Sequence, residues 1–139
     1  MARDHRKLRV FGEAHELTLL IYNHTRNFPR DEWYGLRMQL RKAAVSMPSN
    51  LVEGNARRTT REYVNFINIS RASAAELTYL VDLASELEYL TGAVFKELNA
   101  RCERVCAQLE ALLQRMERLI VEELPRHGAA RVAERHEKS

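Results

Sequence analysis

Apolar residues recur three and four positions apart along most of the chain, the spacing of one face of a helix. The first such stripe runs from about Phe11 to Arg26, with Phe11, Ala14, Leu17, Ile21 and either Leu20 or His24 on one side. Phe28-Pro29 ends it, because proline cannot continue a helix yet suits the first turn of the next. Asp31 and Glu32 then fall where a helix N-terminus favours acids, so a second helix is expected to start there. Its stripe is Trp33, Leu36, Leu40, Ala43, Met47 and Leu51.

The stretch Gly54-Asn55-Ala56-Arg57-Arg58 reads as a hairpin, after which Thr59 and Glu62 form a capping box for helix three. Tyr63, Phe66 or Ile67, Ser70, Ala74, Leu77, Val81, Ala84 and Leu87 make that helix's stripe, which reaches about Leu90. Thr91-Gly92 supplies the next break. From Phe95 through Leu98, Cys102, Val105, Leu109, Leu112 and Met116 to Leu119 the steps alternate three and four, as in a heptad seam. Pro125 is expected to stop this helix and leave residues 125–139 as a charged, disordered tail. Four helices with short connections predict an all-α domain over residues 1–124, an antiparallel up-down-up-down four-helix bundle.

Composition agrees: three prolines and five glycines in 139 residues are too few for a loop-rich or all-β chain. No stretch has the roughly 18 uncharged apolar residues of a membrane span, and the N-terminus lacks an apolar signal core, so a cytoplasmic protein is expected. Charge adds a feature that the net value of +3 hides. Residues 1–71 carry 13 Lys and Arg against 7 Asp and Glu, whereas residues 72–124 carry 5 against 10. Such segregation suits an anionic partner or complementary faces in an assembly; solvated helix faces of uneven sign are the plainer alternative.

The stripe of helix two is interrupted by Ser46, Pro48, Asn50, Glu53 and Gly54. Proline inside a helix costs about 3 kcal/mol, so its neighbours are expected to compensate. Ser46 and Asn50 could bond freed backbone groups, and Gly54 either permits a close helix approach or forms a left-handed C-cap. The set reads as a buried polar hinge rather than a chemical site. Arg37, Arg41 and Lys42 on helix two, and Arg57, Arg58 and Arg61 around the hairpin, are the cations best placed to meet phosphates. Arg3, Arg6, Lys7 and Arg9 could add to them. No zinc-finger spacing, aromatic RNP pattern or Gly-rich KH loop is present, so recognition would be through backbone and shape.

Catalysis and metal binding find no support in the sequence. His15-Glu16 begins like a zinc-protease helix, but Leu19 stands where the second histidine should be. Cys102 and Cys106 share one helix face and lack two further ligands. No GxSxG or P-loop occurs, and Glu53 has no nucleophile or histidine beside it in the motif. No cofactor, metal or catalytic residue is expected.

Phe28-Pro29, YGLRMQLRKAAVSMPSNLVEGNARR at 34–58, REYVNFINISRASAAEL at 61–77 and AHELTLLIY at 14–22 together resemble a small bacterial family named after intervening sequences in 23S ribosomal RNA genes. The resemblance covers roughly residues 8–122. It implies a four-helix bundle, often a ring-shaped homopentamer, with a nucleic-acid-binding role and no catalysis. A related branch, the accessory variability determinant of diversity-generating retroelements, is similar in fold and binds nucleic acid and a reverse transcriptase through a basic surface. Carried over by position, the signature residues are Ser46, Pro48, Asn50, Glu53, Gly54 and Arg57, with Ser73 and Glu76 in the second block. Ala72 and Thr78 depart from it, where relatives often have glycine and an acid. The expected function is an oligomeric accessory protein that binds RNA or DNA. A protein-interaction scaffold, such as a reverse-transcriptase partner, is the alternative.

Overall fold

The computed structural model describes the backbone of residues 3–137 and the side chains of residues 3–124. Within these limits the fold is all-α, built from α1 (Arg9–His24), α2 (Leu36–Asn55), α3 (Thr60–Glu86) and α4 (Gly92–Glu137), with short 3-10 turns at His5–Lys7 and Arg30–Glu32. Helix α1 packs on α2 and α4, and α3 packs on the same two, which encloses a shared core. Leu17, Ile21, Leu40, Met47, Leu51, Ile67, Leu77, Val81, Leu98, Val105 and Leu109 are fully buried there. These are the stripe positions, so the 3–4 periodicity located the core correctly.

The helix limits differ from the sequence expectation where local hydrogen bonds override the pattern. Pro29 begins only the three-residue turn Arg30–Glu32, and α2 starts at Leu36 behind Gly35. Trp33 therefore stands outside the core stripe, half-buried, with its indole Nε1 donating to the Phe28 carbonyl at 3.2 Å. The capping box is present: Thr59 Oγ1 accepts from the Glu62 amide at 3.1 Å and Glu62 Oε2 accepts from the Thr59 amide at 3.4 Å. Helix α3 ends at Glu86, four residues early, and Leu87 is exposed. Glu88 takes φ 65°, while the amides of Glu88 and Tyr89 donate back to the carbonyls of Ser85 and Ala84, both at 2.9 Å. That pair of reversed bonds is a Schellman cap, which closes the helix and turns the chain toward α4.

At its far end α4 continues through Pro125 to Glu137, past the stop expected at that proline. The disordered tail was expected over residues 125–139, of which 138–139 lie outside the described residues.

Candidate nucleic-acid interface

The interruption of α2 resolves into a polar seam shared by three helices. Pro48 is buried inside α2 and has no N–H to give the Ala44 carbonyl. Thr18 of α1 fills the vacancy: its Oγ1 lies 2.9 Å from the Ala44 oxygen and 2.8 Å from the Ala14 oxygen of its own helix. Asn50 Nδ2 donates to the Ser46 carbonyl at 2.8 Å and to Ser46 Oγ at 3.0 Å, and Ser46 Oγ meets Ser73 Oγ of α3 at 2.7 Å. Ser70 Oγ donates to the Met47 carbonyl at 2.9 Å. Buried polar groups are tolerated when satisfied in this way. Ser46 and Asn50, both half-buried, thus line one polar seam beside the buried Pro48, and the partner of the freed carbonyl is Thr18, which the stripe reading did not name.

Glu53 does not belong to that seam. Its side chain is 56% exposed and pairs with Arg57 at 3.0 Å, so the expectation of a buried carboxylate fails. Gly54 is the buried neighbour instead, with no positive φ. A Cβ there would stand 2.8 Å from Phe66 Cβ and 2.9 Å from Tyr63 Cδ2. Of the two roles open to Gly54, close approach of α2 to α3 is the one observed.

The six predicted cations fall into two groups that the fold does not bring together. Arg37, Arg41 and Lys42 sit near the start of α2, and Arg57, Arg58 and Arg61 lie beyond its end. At 1.5 Å per residue the groups are about 25–30 Å apart along the helix.

At the hairpin, Arg57 lies over the Phe66 ring at 4.8 Å and Arg3 over the Tyr63 ring at 4.6 Å. Arg3 also donates to the Arg57 carbonyl at 3.2 Å, so the N-terminal segment adds a cation to this end. Arg58 and Arg61 are exposed and have no side-chain partner among the described residues. The Arg57–Glu53 pair is exposed and contributes little, at most about 1 kcal/mol, so it is readily exchanged for a phosphate.

The other group lines a surface groove of about 530 Å³ whose walls include the aromatic residues Tyr22, Trp33 and Tyr34. Arg37 lies over the Trp33 ring at 4.5 Å, with Arg30 over the same ring at 5.3 Å. Arg41 lies over the Tyr22 ring at 4.5 Å, and its Nε donates to Thr25 Oγ1 at 3.0 Å. Its NH2 group donates to the Tyr22 carbonyl at 3.3 Å near the end of α1. Arg41 is thus as much a tether between α1 and α2 as a surface cation. Its partial burial, with Arg37 and Arg26 nearby, lowers its pKa from the ordinary arginine value. Met38, Val45 and Ser46 complete the wall, and among the described residues no carboxylate lines the groove.

The Trp33-to-Arg37 step of four was readable in the sequence as a helix-like neighbour pair. The approach of Tyr22 was not, because it depends on how α1 packs against α2.

A family model for the 23S rRNA-intervening sequence protein matches residues 6–111. The chain belongs to this family. Among solved structures, a crystal structure of a protein of unknown function from the S23 ribosomal protein family of Bacteroides thetaiotaomicron shares the fold, with a TM-score of 0.70 at 19% identity. The likeness covers 76% of this chain and 95% of that one. No curated protein sequence matches. The family assignment agrees with the residues that carried the resemblance. Of its second block, Ser73 joins the seam, whereas Glu76 is exposed. Thr78, one of the two departures, turns its hydroxyl to the Ala74 carbonyl at 2.8 Å, so the position has settled on a local bond. No described helix is long and apolar enough to cross a membrane.

Proposed function

We propose that this member of the family is a non-catalytic accessory protein that binds the phosphate backbone of RNA or DNA. The observation that carries the reading is the α2–α3 hairpin. There Arg58 and Arg61 are exposed without carboxylate partners among the described residues, beside Arg57 and the Arg3 brought over from the N-terminus. Arginine forks suit phosphate oxygens, and each phosphate neutralised releases counterions. In this reading the helices run up-down-up-down and several copies assemble into a ring, most simply the homopentamer implied by the family. One hairpin binds weakly, and a ring multiplies it through avidity.

The test is binding of the full chain to structured RNA and to duplex DNA across a salt series, with light scattering to fix the mass of the assembly. Replacing Arg57, Arg58 and Arg61 with alanine should weaken binding to all sequences alike. It should also lower the slope of log affinity against log salt by roughly one for each phosphate no longer neutralised. Unchanged affinity in the triple variant would remove the hairpin from the interface.

A scaffold role, with a protein such as a reverse transcriptase as partner, is favoured by one separate feature. Leu19, Ile69 and Tyr79 are large apolar side chains left exposed on α1 and α3, and such side chains serve interfaces. Assembly or protein capture without any salt-dependent nucleic-acid binding would favour this second role.

A further inference from the structure

The groove at the start of α2 differs in kind from the hairpin. The hairpin offers charge, whereas the groove combines charge with three aromatic side chains within one concave surface. Tyr34 is 86% exposed, far more than an aromatic ring retained for core packing. Tyr22 and Trp33 are each overlaid by arginine, at 4.5 Å in both cases for the closer guanidinium. Over residues 22–46 five Lys and Arg face only two acids, Asp31 and Glu32. Neither acid lines the groove, and neither forms an ion pair with these cations among the described residues.

Cations kept in place by rings rather than by carboxylates retain their charge for a ligand, and a guanidinium stacked on a ring can itself stack on a base. Single-stranded nucleic acid supplies both complements in every unit: a π-face for the rings and a phosphate for the arginines. An acidic peptide would satisfy the cations but brings no planar face at each residue. In a duplex the bases are stacked on one another and closed to Tyr34.

We propose that this groove is a second nucleic-acid site, specific for unpaired nucleotides, with Tyr34 as the stacking platform and Arg37 and Lys42 as phosphate contacts. It deepens the nucleic-acid reading given above and rests on it. The hairpin, about 25–30 Å away along α2, would hold structured or double-stranded segments, and the groove an unpaired flank.

Trp33 is the one tryptophan of the chain and lines the groove, so its fluorescence reports on this site alone. The full chain is titrated with a short homothymidine strand, with an abasic strand of equal length, with a duplex, and with polyglutamate. Anisotropy of a labelled strand records binding at any site. The expected result is quenching of Trp33 by the homothymidine strand, with the abasic strand at least about fivefold weaker. Tyr34→Ala, a change at an exposed position, should weaken the homothymidine strand by a similar factor without altering the far-UV spectrum. The Arg57, Arg58 and Arg61 triple-alanine variant should keep the quenching.

Equal affinity for the abasic strand would overturn the proposal, as would equal quenching by polyglutamate. Binding seen by anisotropy with a silent Trp33 would overturn it while leaving the hairpin reading intact. Absence of binding in both signals at low salt would remove both. Trp33 emission that follows protein concentration, together with a change of assembly mass in Tyr34→Ala, would assign the groove to contact between copies and overturn the proposal.

Discussion

Two single residues hold backbone or space that their neighbours cannot supply. Glu88 adopts φ 65° at the end of α3, in the left-handed region that costs a side-chain-bearing residue roughly 1–2 kcal/mol. Its side chain is exposed, so nothing in the packing requires glutamate there. Glu88→Gly is therefore expected to raise stability by up to about 1 kcal/mol, the relief of strain outweighing the added freedom of the unfolded chain. Chemical denaturation should show a higher midpoint at unchanged slope; a lower midpoint would mean that the carboxylate makes a contribution not visible in its contacts. Gly54 is the opposite case. Its missing Cβ is what lets α2 approach Phe66 and the buried Tyr63 ring, and neither neighbour can withdraw cheaply. Gly54→Ala would gain about 1 kcal/mol of helix propensity but lose about 1–3 kcal/mol to overpacking. The variant should unfold at lower denaturant than the wild type. The sequence singled out Gly54 but left its role open, since a helix end and a close contact both call for glycine. It offered no sign of Glu88, because glutamate seldom marks a left-handed cap.

Among the elements, α2 was the most legible in pattern and the least legible in limits. Leu36, Leu40, Ala43, Met47 and Leu51 face the core as their spacing required. The start was misplaced because Pro29 announces a helical turn without fixing its length, and Gly35, at φ −109° and ψ −113°, breaks the helical run before α2 begins. Glu53 was grouped with its buried neighbours because the i, i+3 rule gives relative phase and not the edge of a contact. The compensation of Pro48 was foreseen in kind but not in place, since only the packing of α1 on α2 brings Thr18 to the orphaned Ala44 carbonyl. A double-mutant cycle tests that assignment. Thr18→Val should cost about 1–3 kcal/mol by leaving a buried carbonyl unpaired. In a Pro48→Ala background the restored amide takes over the Ala44 oxygen, so the same change should cost clearly less. Equal costs in both backgrounds would show that the threonine acts through its own Ala14 contact alone.

For the whole molecule, the all-α class and the composition of the core were present in the 3–4 spacing. The division of charge was present too, though not its use. Part of it is consumed inside the chain, where Arg71 of the basic half pairs with Glu110 of the acidic half at 2.9 Å; the ties of α4 to α1, Arg101 with Glu16 at 3.2 Å and Arg104 with Glu13 at 3.8 Å, instead pair the minority charge of each half. The cations read as phosphate contacts lie toward the two ends of α2. The core itself makes stability sensitive to alkali. Burial pushes the Cys102 thiol up from 9.0 to about 12 and raises Tyr63 above its ordinary value of 10.0. A group whose pKa is raised by folding stabilises the fold fully below its unfolded pKa, and that contribution is lost as pH rises through the folded value. Stability should thus hold steady up to about pH 9 and fall progressively toward pH 12, first as Cys102 and then as Tyr63 prefers the unfolded, ionised form. Denaturant midpoints of wild type and Cys102→Ala across this range separate the two groups. Below pH 9 the variant should be the less stable by the packing it loses, about 1 kcal/mol or more. The gap should narrow as pH climbs, because only the wild type has a buried thiol to ionise. Parallel curves would mean that Cys102 meets water in the folded state and that the seam of α4 is looser than its burial implies.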